Sequence, residues 1–121
     1  MVIAFANNQV IAANNVATNT IFTDPVPLND NDRATCHLMV EYIFNAGAGG
    51  VAYQGQVSND GVNWVDVSGL SDSATAATPT GPQAVVHAVN GAFLRFKLSF
   101  QASAAAVGAC CFDLHVMLDH V

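Results

Sequence analysis

Apolar and polar residues alternate along most of this chain with a period of two, the spacing of a half-buried β-strand. Residues 34–44, ATCHLMVEYIF, place Cys36, Leu38, Val40, Tyr42 and Phe44 on one face and His37, Met39, Glu41 and Ile43 on the other. Residues 51–58, VAYQGQVS, set Val51, Tyr53 and Val57 against Gln54, Gln56 and Ser58, with Gly55 marking a bulge or a close approach. Residues 91–101, GAFLRFKLSFQ, oppose Leu94, Phe96, Leu98 and Phe100 to Arg95, Lys97 and Ser99. Residues 109–120, ACCFDLHVMLDH, turn Cys110, Phe112, Leu114, Val116 and Leu118 inward, and Cys111, Asp113, His115, Met117 and Asp119 outward. Shorter strands are expected at 16–23, 63–68 and 84–89.

No segment keeps a helical period. The alanine cluster in QASAAAVGA is short and lies between two strong strands, so it reads as a loop. DPVPLNDNDR, 24–33, and GLSDSATAATPTGPQ, 69–83, read as punctuation, rich in Pro, Gly, Asn, Asp and small residues. The predicted fold is all-β, an antiparallel β-sandwich or jelly roll of about seven to eight strands. Residues 1–15 form an N-terminal arm or edge strand, and residues 16–121 a single β-sandwich domain.

Composition narrows the function classes. A chain of 121 residues can bury roughly two-thirds of its unfolded surface, so it folds without disulfides or metal. Charged residues are only 10%, which weakens repulsion between copies and favours a subunit that packs against neighbours. The net charge is −6, and Arg33, Arg95 and Lys97 are the fixed cations. Nucleic acid and anionic membranes are therefore not expected partners. The start, MVIAFANNQV, lacks a basic region and breaks its apolar run at Asn7-Asn8, so neither a signal peptide nor a membrane-spanning helix is expected. Cys36, Cys110 and Cys111 are odd in number. Cys110 and Cys111 point to opposite faces of a strand, so free, half-buried thiols in a reducing compartment are expected.

Several constellations carry residue types that could do chemistry. Asp30, Asp32 and Glu41 fall at positions 1, 3 and 12 of a calcium-loop template, but Thr35 stands where the turn needs glycine. A looser calcium site would use Asp24, Asp30 and Asp32. Asp113 and His115 share a strand face and could both reach one metal, with His37 or His87 as a further ligand; Met117 separates them from Asp119. None of these sets is complete, so no metal or cofactor is expected. Cys36 and Cys110 sit on apolar faces, where a thiol acts as a small hydrophobe, and no nucleophile signature occurs. An enzyme is not expected.

The clearest turn signal is VSNDGVNW. Asn59 and Asp60 would form a type I turn and Gly61 would take the left-handed position, giving a three-residue hairpin loop. Ser58 or Asn59 would cap the turn amides, and Trp64 would fold over the corner or into the sandwich. The residues singled out as a structural hairpin are Ser58, Asn59, Asp60, Gly61 and Trp64. The alternative is a carbohydrate platform built from Trp64, Asn63 and Asp60.

The fifteen residues YQGQVSNDGVNWVDV resemble a hairpin of discoidin-like β-sandwiches and of tailed-phage virion proteins, with the pattern strand, Ser-x-Asp-Gly-x-x-Trp, strand. The size, sparse charge and Ala/Asn/Thr-rich surface look like tailed-phage capsid decoration (cement) proteins. That resemblance implies a β-sandwich subunit, often a trimer, that binds the major capsid protein on the outer surface of the virion head after assembly in the host cytoplasm. It brings no catalytic residues. A glycan-binding module and a phage tail or baseplate protein are the alternative functions.

Overall fold

The computed structural model describes residues 1–14, 18–75, 83–103 and 107–121. Nine strands follow in order: β1 (Val2–Asn14), β2 (Thr18–Phe22), β3 (Val26–Pro27), β4 (Arg33–Phe44), β5 (Ala46–Ser58), β6 (Val65–Ala74), β7 (Gln83–Ala88), β8 (Phe93–Ala102) and β9 (Val107–Asp119). They form two antiparallel sheets, β1-β9-β4-β7 and β2-β8-β5-β6, with β3 paired to β8. The fold is an antiparallel β-sandwich, and the described residues contain no helix.

The core lies where the alternation predicts for β8 and β9. Leu94, Phe96, Leu98 and Phe100 from one sheet meet Cys110, Phe112, Leu114 and Val116 from the other, all buried. Phe96 takes the edge of the Phe5 ring at 4.8 Å and of the Tyr53 ring at 5.7 Å, the T-shaped contact that aromatic quadrupoles favour.

Four expectations need correction. In β4 the predicted faces hold only to Val40. A bulge between Val40 and Tyr42 adds one residue against β9, so the alternation flips. Ile43 is therefore buried, while Tyr42 and Phe44 face outward. Second, the segment from Gly69 is not all loop, because β6 runs on to Ala74 and pairs Ser71–Ala74 with Gln54–Val51. The reason is packing. Between Gln54 and Gln56 the register slips, and fully buried Leu70 fills the space over Gly55, where a Cβ would lie 2.4 Å from Leu70 Cδ2. The rest of that segment, 76–82, lies outside the described residues.

Third, the stretch 24–33 contains β3, and Leu28 is 0% exposed, its N–H donating to Ala92 O at 2.9 Å. Pro27 is tolerated there because β3 is only a two-residue edge strand. Fourth, the thiols are free but buried rather than half-buried. Even Cys111, on the outer face, is 7% exposed, because it sits in register between the larger Val10 and Tyr42. Of the alanine cluster, Ala102 ends β8, and 104–106 lie outside the described residues.

Residues 2–14 form β1, an edge strand paired with β9. Two register slips break it, between Ala4 and Ala6 and between Ala6 and Gln9, with Asn8 at φ +50°. Such bulges twist an edge away from flat, open-ended pairing.

Candidate functional site

The hairpin between β5 and β6 is longer than a three-residue loop. The ladder ends at Val57 opposite Val65. Two consecutive side-chain caps explain the extra length. Ser58 Oγ accepts from the amides of Asp60 (3.2 Å) and Gly61 (2.9 Å) and donates to Asp60 Oδ1 at 2.9 Å. Asp60 Oδ1 also accepts from the amides of Val62 and Asn63, both at 2.8 Å, and Oδ2 accepts from Asn63 Nδ2 at 2.7 Å. The first cap makes the expected turn, with Gly61 at φ +76°, and the second adds another behind it.

Hydrogen bonds from the Asn63 and Val62 amides, then from the side chains of Asn63 and Ser58, hold the Asp60 carboxyl well below its ordinary value of 3.8. A depressed folded value stabilises the fold above the unfolded value, and that contribution is lost as pH falls toward the folded value. Asp60→Ala should therefore melt below the wild type at pH 7, with the gap narrowing once the pH drops under about 4. Thermal melts at pH 7 and under pH 3 check this; a gap independent of pH would count against it.

Trp64 does not enter the sandwich. It lies half-buried on the outside of the β2-β8-β5-β6 sheet, with the Arg95 guanidinium 4.3 Å from its ring centroid. The same guanidinium is 4.3 Å from the centroid of the Phe22 ring. Arg95 Nε donates to Gln56 Oε1 at 2.9 Å, and Gln56 Nε2 donates to Asp66 Oδ1 at 2.8 Å. Sequence reasoning missed this cation–π cluster, because Phe22, Trp64 and Arg95 come together only through the pairing of β2, β5 and β8. An open concavity of about 430 Å³ beside the hairpin is lined by Ser58, Asn59, Asp60, Asn63 and Asn90 among others.

The thiols are not arranged as nucleophiles. Burial pushes Cys36 up to about 12, against a weaker opposing interaction with Tyr53, and pushes Cys110 up to about 11. Both stay protonated at neutral pH, whereas nucleophilic cysteines are thiolates. The Tyr53 hydroxyl is buried without a conventional hydrogen-bond partner, and the Cys36 thiol is its weak polar neighbour.

Among the described residues no three His, Cys, Asp or Glu side chains converge as metal ligands. Asp32, Asp113 and Asp119 are dispersed into separate structural roles. Asp32 Oδ1 accepts from Val121 N at 2.9 Å, and Asp119 pairs with Arg33 at 3.0 and 2.5 Å. Asp113 Oδ1 accepts from Asn8 N at 2.5 Å at the β1 bulge. Glu41 sits at the β4 bulge, at the other end of that strand from Asp32. His87 belongs to a different neighbourhood, over Gly69, with Nδ1 2.8 Å from Ala88 O. His37 and His115, however, are direct register partners across β4 and β9. Together with Val2, Thr35 and Met117 they line an open cavity of about 210 Å³.

Among solved structures the fold is similar to that of a viral particle protein. The infectious bursal disease virus VP2 subviral particle aligns over 99% of this chain and 32% of VP2, with 11% identity and a TM-score of 0.55. The Gx strain of that virus aligns over 98% of this chain and 31% of its own, at 15% identity and a TM-score of 0.45. The carbohydrate-binding module TmCBM61, in complex with β-1,4-galactotriose, aligns over 98% of this chain and 88% of its own, at 12% identity and a TM-score of 0.48. The chain shares the β-sandwich fold of a viral capsid protein. It spans about a third of the length of these two viral chains. No protein-family model matches the sequence, and no curated protein matches it.

Proposed function

We propose that this chain is a structural virion protein, a decoration or cement subunit that oligomerises and binds the outside of a phage head. The observation that carries this reading is the outer face of the β1-β9-β4-β7 sheet. Val10, Tyr42, Phe44, Val86, Val107 and Met117 are all exposed, and the strand register puts them all on that one face. They fall in two groups, Val86 with Met117 and Val10 with Tyr42, Phe44 and Val107, separated by the His37–His115 row, and large apolar side chains exposed on one sheet face favour a contact surface. The 10% charge content leaves little to oppose such contact. Copies on a lattice multiply weak contacts of this kind. The capsid-like sandwich agrees with this reading at the level of fold.

The glycan alternative is weakened by the hairpin. Asp60 is fully engaged in its own turn, and Arg95 covers one face of Trp64.

Light scattering on the purified protein and electron microscopy of the assembled particle test the proposal together. The expected mass is a multiple of 12.6 kDa, a trimer being favoured, with density on the outer head surface. A Phe44→Asp variant should dissociate or fail to decorate, because it buries a charge in the contact. A monomer absent from the head would overturn the reading, and density on the tail would transfer the role to the tail or baseplate.

A further inference from the structure

We propose that His37, His115 and Met117 form a surface binding site for a soft transition-metal ion, best matched by Cu(I). The site lies on the outer sheet face proposed above as a contact surface, and it needs only the register of β4 and β9.

The argument starts from register. β4 and β9 run antiparallel with His37 opposite His115 and Thr35 opposite Met117. Directly opposed side chains on one face have Cβ atoms about 4.5–5.5 Å apart. Two imidazoles at that separation can close on one ion at the roughly 2.0–2.1 Å bond length that histidine nitrogen makes with zinc. Both project outward, since their chain neighbours Cys36, Leu38, Leu114 and Val116 are all buried on the inner face.

Met117 is two residues beyond His115 on that face and lines the same cavity, so its thioether supplies a third donor. Strand pairing holds all three residues, so little backbone order has to be created on binding.

The donor set selects the ion. Two imidazoles and a thioether are borderline to soft, and nitrogen with thioether sulfur suits Cu(I). Calcium and magnesium need oxygen donors. Asp113, the nearest carboxylate on the face, is held by the Asn8 amide and does not line the cavity. Thr35 and Val2 complete a wall that is partly apolar, which restricts water at one side of the ion.

The test is an anaerobic competition titration of the full chain with Cu(I) against a chromophoric copper chelator, alongside a parallel titration with Zn(II). The wild type should bind one Cu(I). His37→Ala and His115→Ala should each lose that complex while keeping the wild-type circular dichroism spectrum and metal-free melting temperature. Met117→Leu, which conserves volume, should weaken Cu(I) by about tenfold and leave Zn(II) unchanged. Cu(I) should raise the melting temperature of the wild type but of neither histidine variant, because binding to the folded state alone stabilises it. In NMR spectra both imidazoles should shift together with one-to-one stoichiometry. Cys111→Ser should bind as the wild type does. The proposal is overturned if the wild type binds no Cu(I), if either histidine variant binds normally, or if binding is lost with Cys111 instead.

Discussion

Phe96→Ala should cost about 3–5 kcal/mol of folding stability, the range for emptying a fully buried aromatic position. Phe96 is 0% exposed and stands on β8, between β2 and β5 in its sheet. Its ring receives Phe5 from the opposite sheet and Tyr53 from the neighbouring strand, so three strands lose a shared contact at once. Phe5 sits at a slip in the edge strand β1, where the backbone pairing is already interrupted. The loss should therefore loosen β1 first. Domains of this kind have total stabilities of roughly 5–15 kcal/mol, so the loss is about a fifth of the total at the least and all of it at the most. Urea unfolding followed by near-ultraviolet circular dichroism gives the midpoint. Val62→Ala, at a position 78% exposed, is the control and should stay within about 0.5 kcal/mol of the wild type. Equal midpoints for the two variants would show that the Phe5–Phe96–Tyr53 cluster is not central to the sandwich.

Gly50→Ala should be nearly as damaging, for a different reason. Gly50 has φ +49°, a left-handed conformation that costs an L-residue about 1–2 kcal/mol. An added Cβ would also sit 2.1 Å from Ala74 O and 3.0 Å from Ala74 C. These are backbone atoms and cannot swing away as a side chain would. Relieving the clash requires the start of β5 to part from the end of β6, where Val51 pairs with Ala74. Adding roughly 1–3 kcal/mol for overpacking, the total is about 2–5 kcal/mol. Gly61→Ala separates the two causes. Gly61 has φ +76° but nothing within 4 Å of its Cβ position, so only the conformational part, about 1–2 kcal/mol, should be lost. Thermal melts of both variants, with hydrogen exchange at the Val51 and Ala74 amides, check the difference. Similar losses at the two glycines would refute the backbone clash.

The acidic pairs and the hairpin show how far local reasoning reaches. Ser58, Asp60 and Gly61 are within four residues of one another, so a turn capped by Ser58 with glycine in the left-handed position was legible directly. The length of the connection was not, because Asp60 spends its carboxylate on Val62 and Asn63 and builds a second turn. Leu28 looked like part of a polar connector because its burial depends on a segment sixty-odd residues away, where Ala92, just before β8, accepts its amide. Ser71, Asp72 and Ser73 read as loop for the same reason. Their strand is defined by β5, and only Leu70 and Ala74 mark its inner side.

Period-two alternation by itself determined that this chain is all-β, a sandwich or jelly roll, and it placed the inward rows of β8 and β9 residue by residue. That was possible because side-chain direction in a strand follows from neighbouring backbone alone. It also determined that Cys36 and Cys110 are core hydrophobes. The tertiary structure decided what depends on partners distant in sequence. The bulge in β4 reversed the faces of Tyr42, Ile43 and Phe44 and so put two aromatic side chains on the outer surface. Strand register set His37 against His115 and brought Arg95 between Phe22 and Trp64. A slip of one residue exchanges the two faces of a strand, and nothing within the strand records it, since only the neighbouring strand fixes the register.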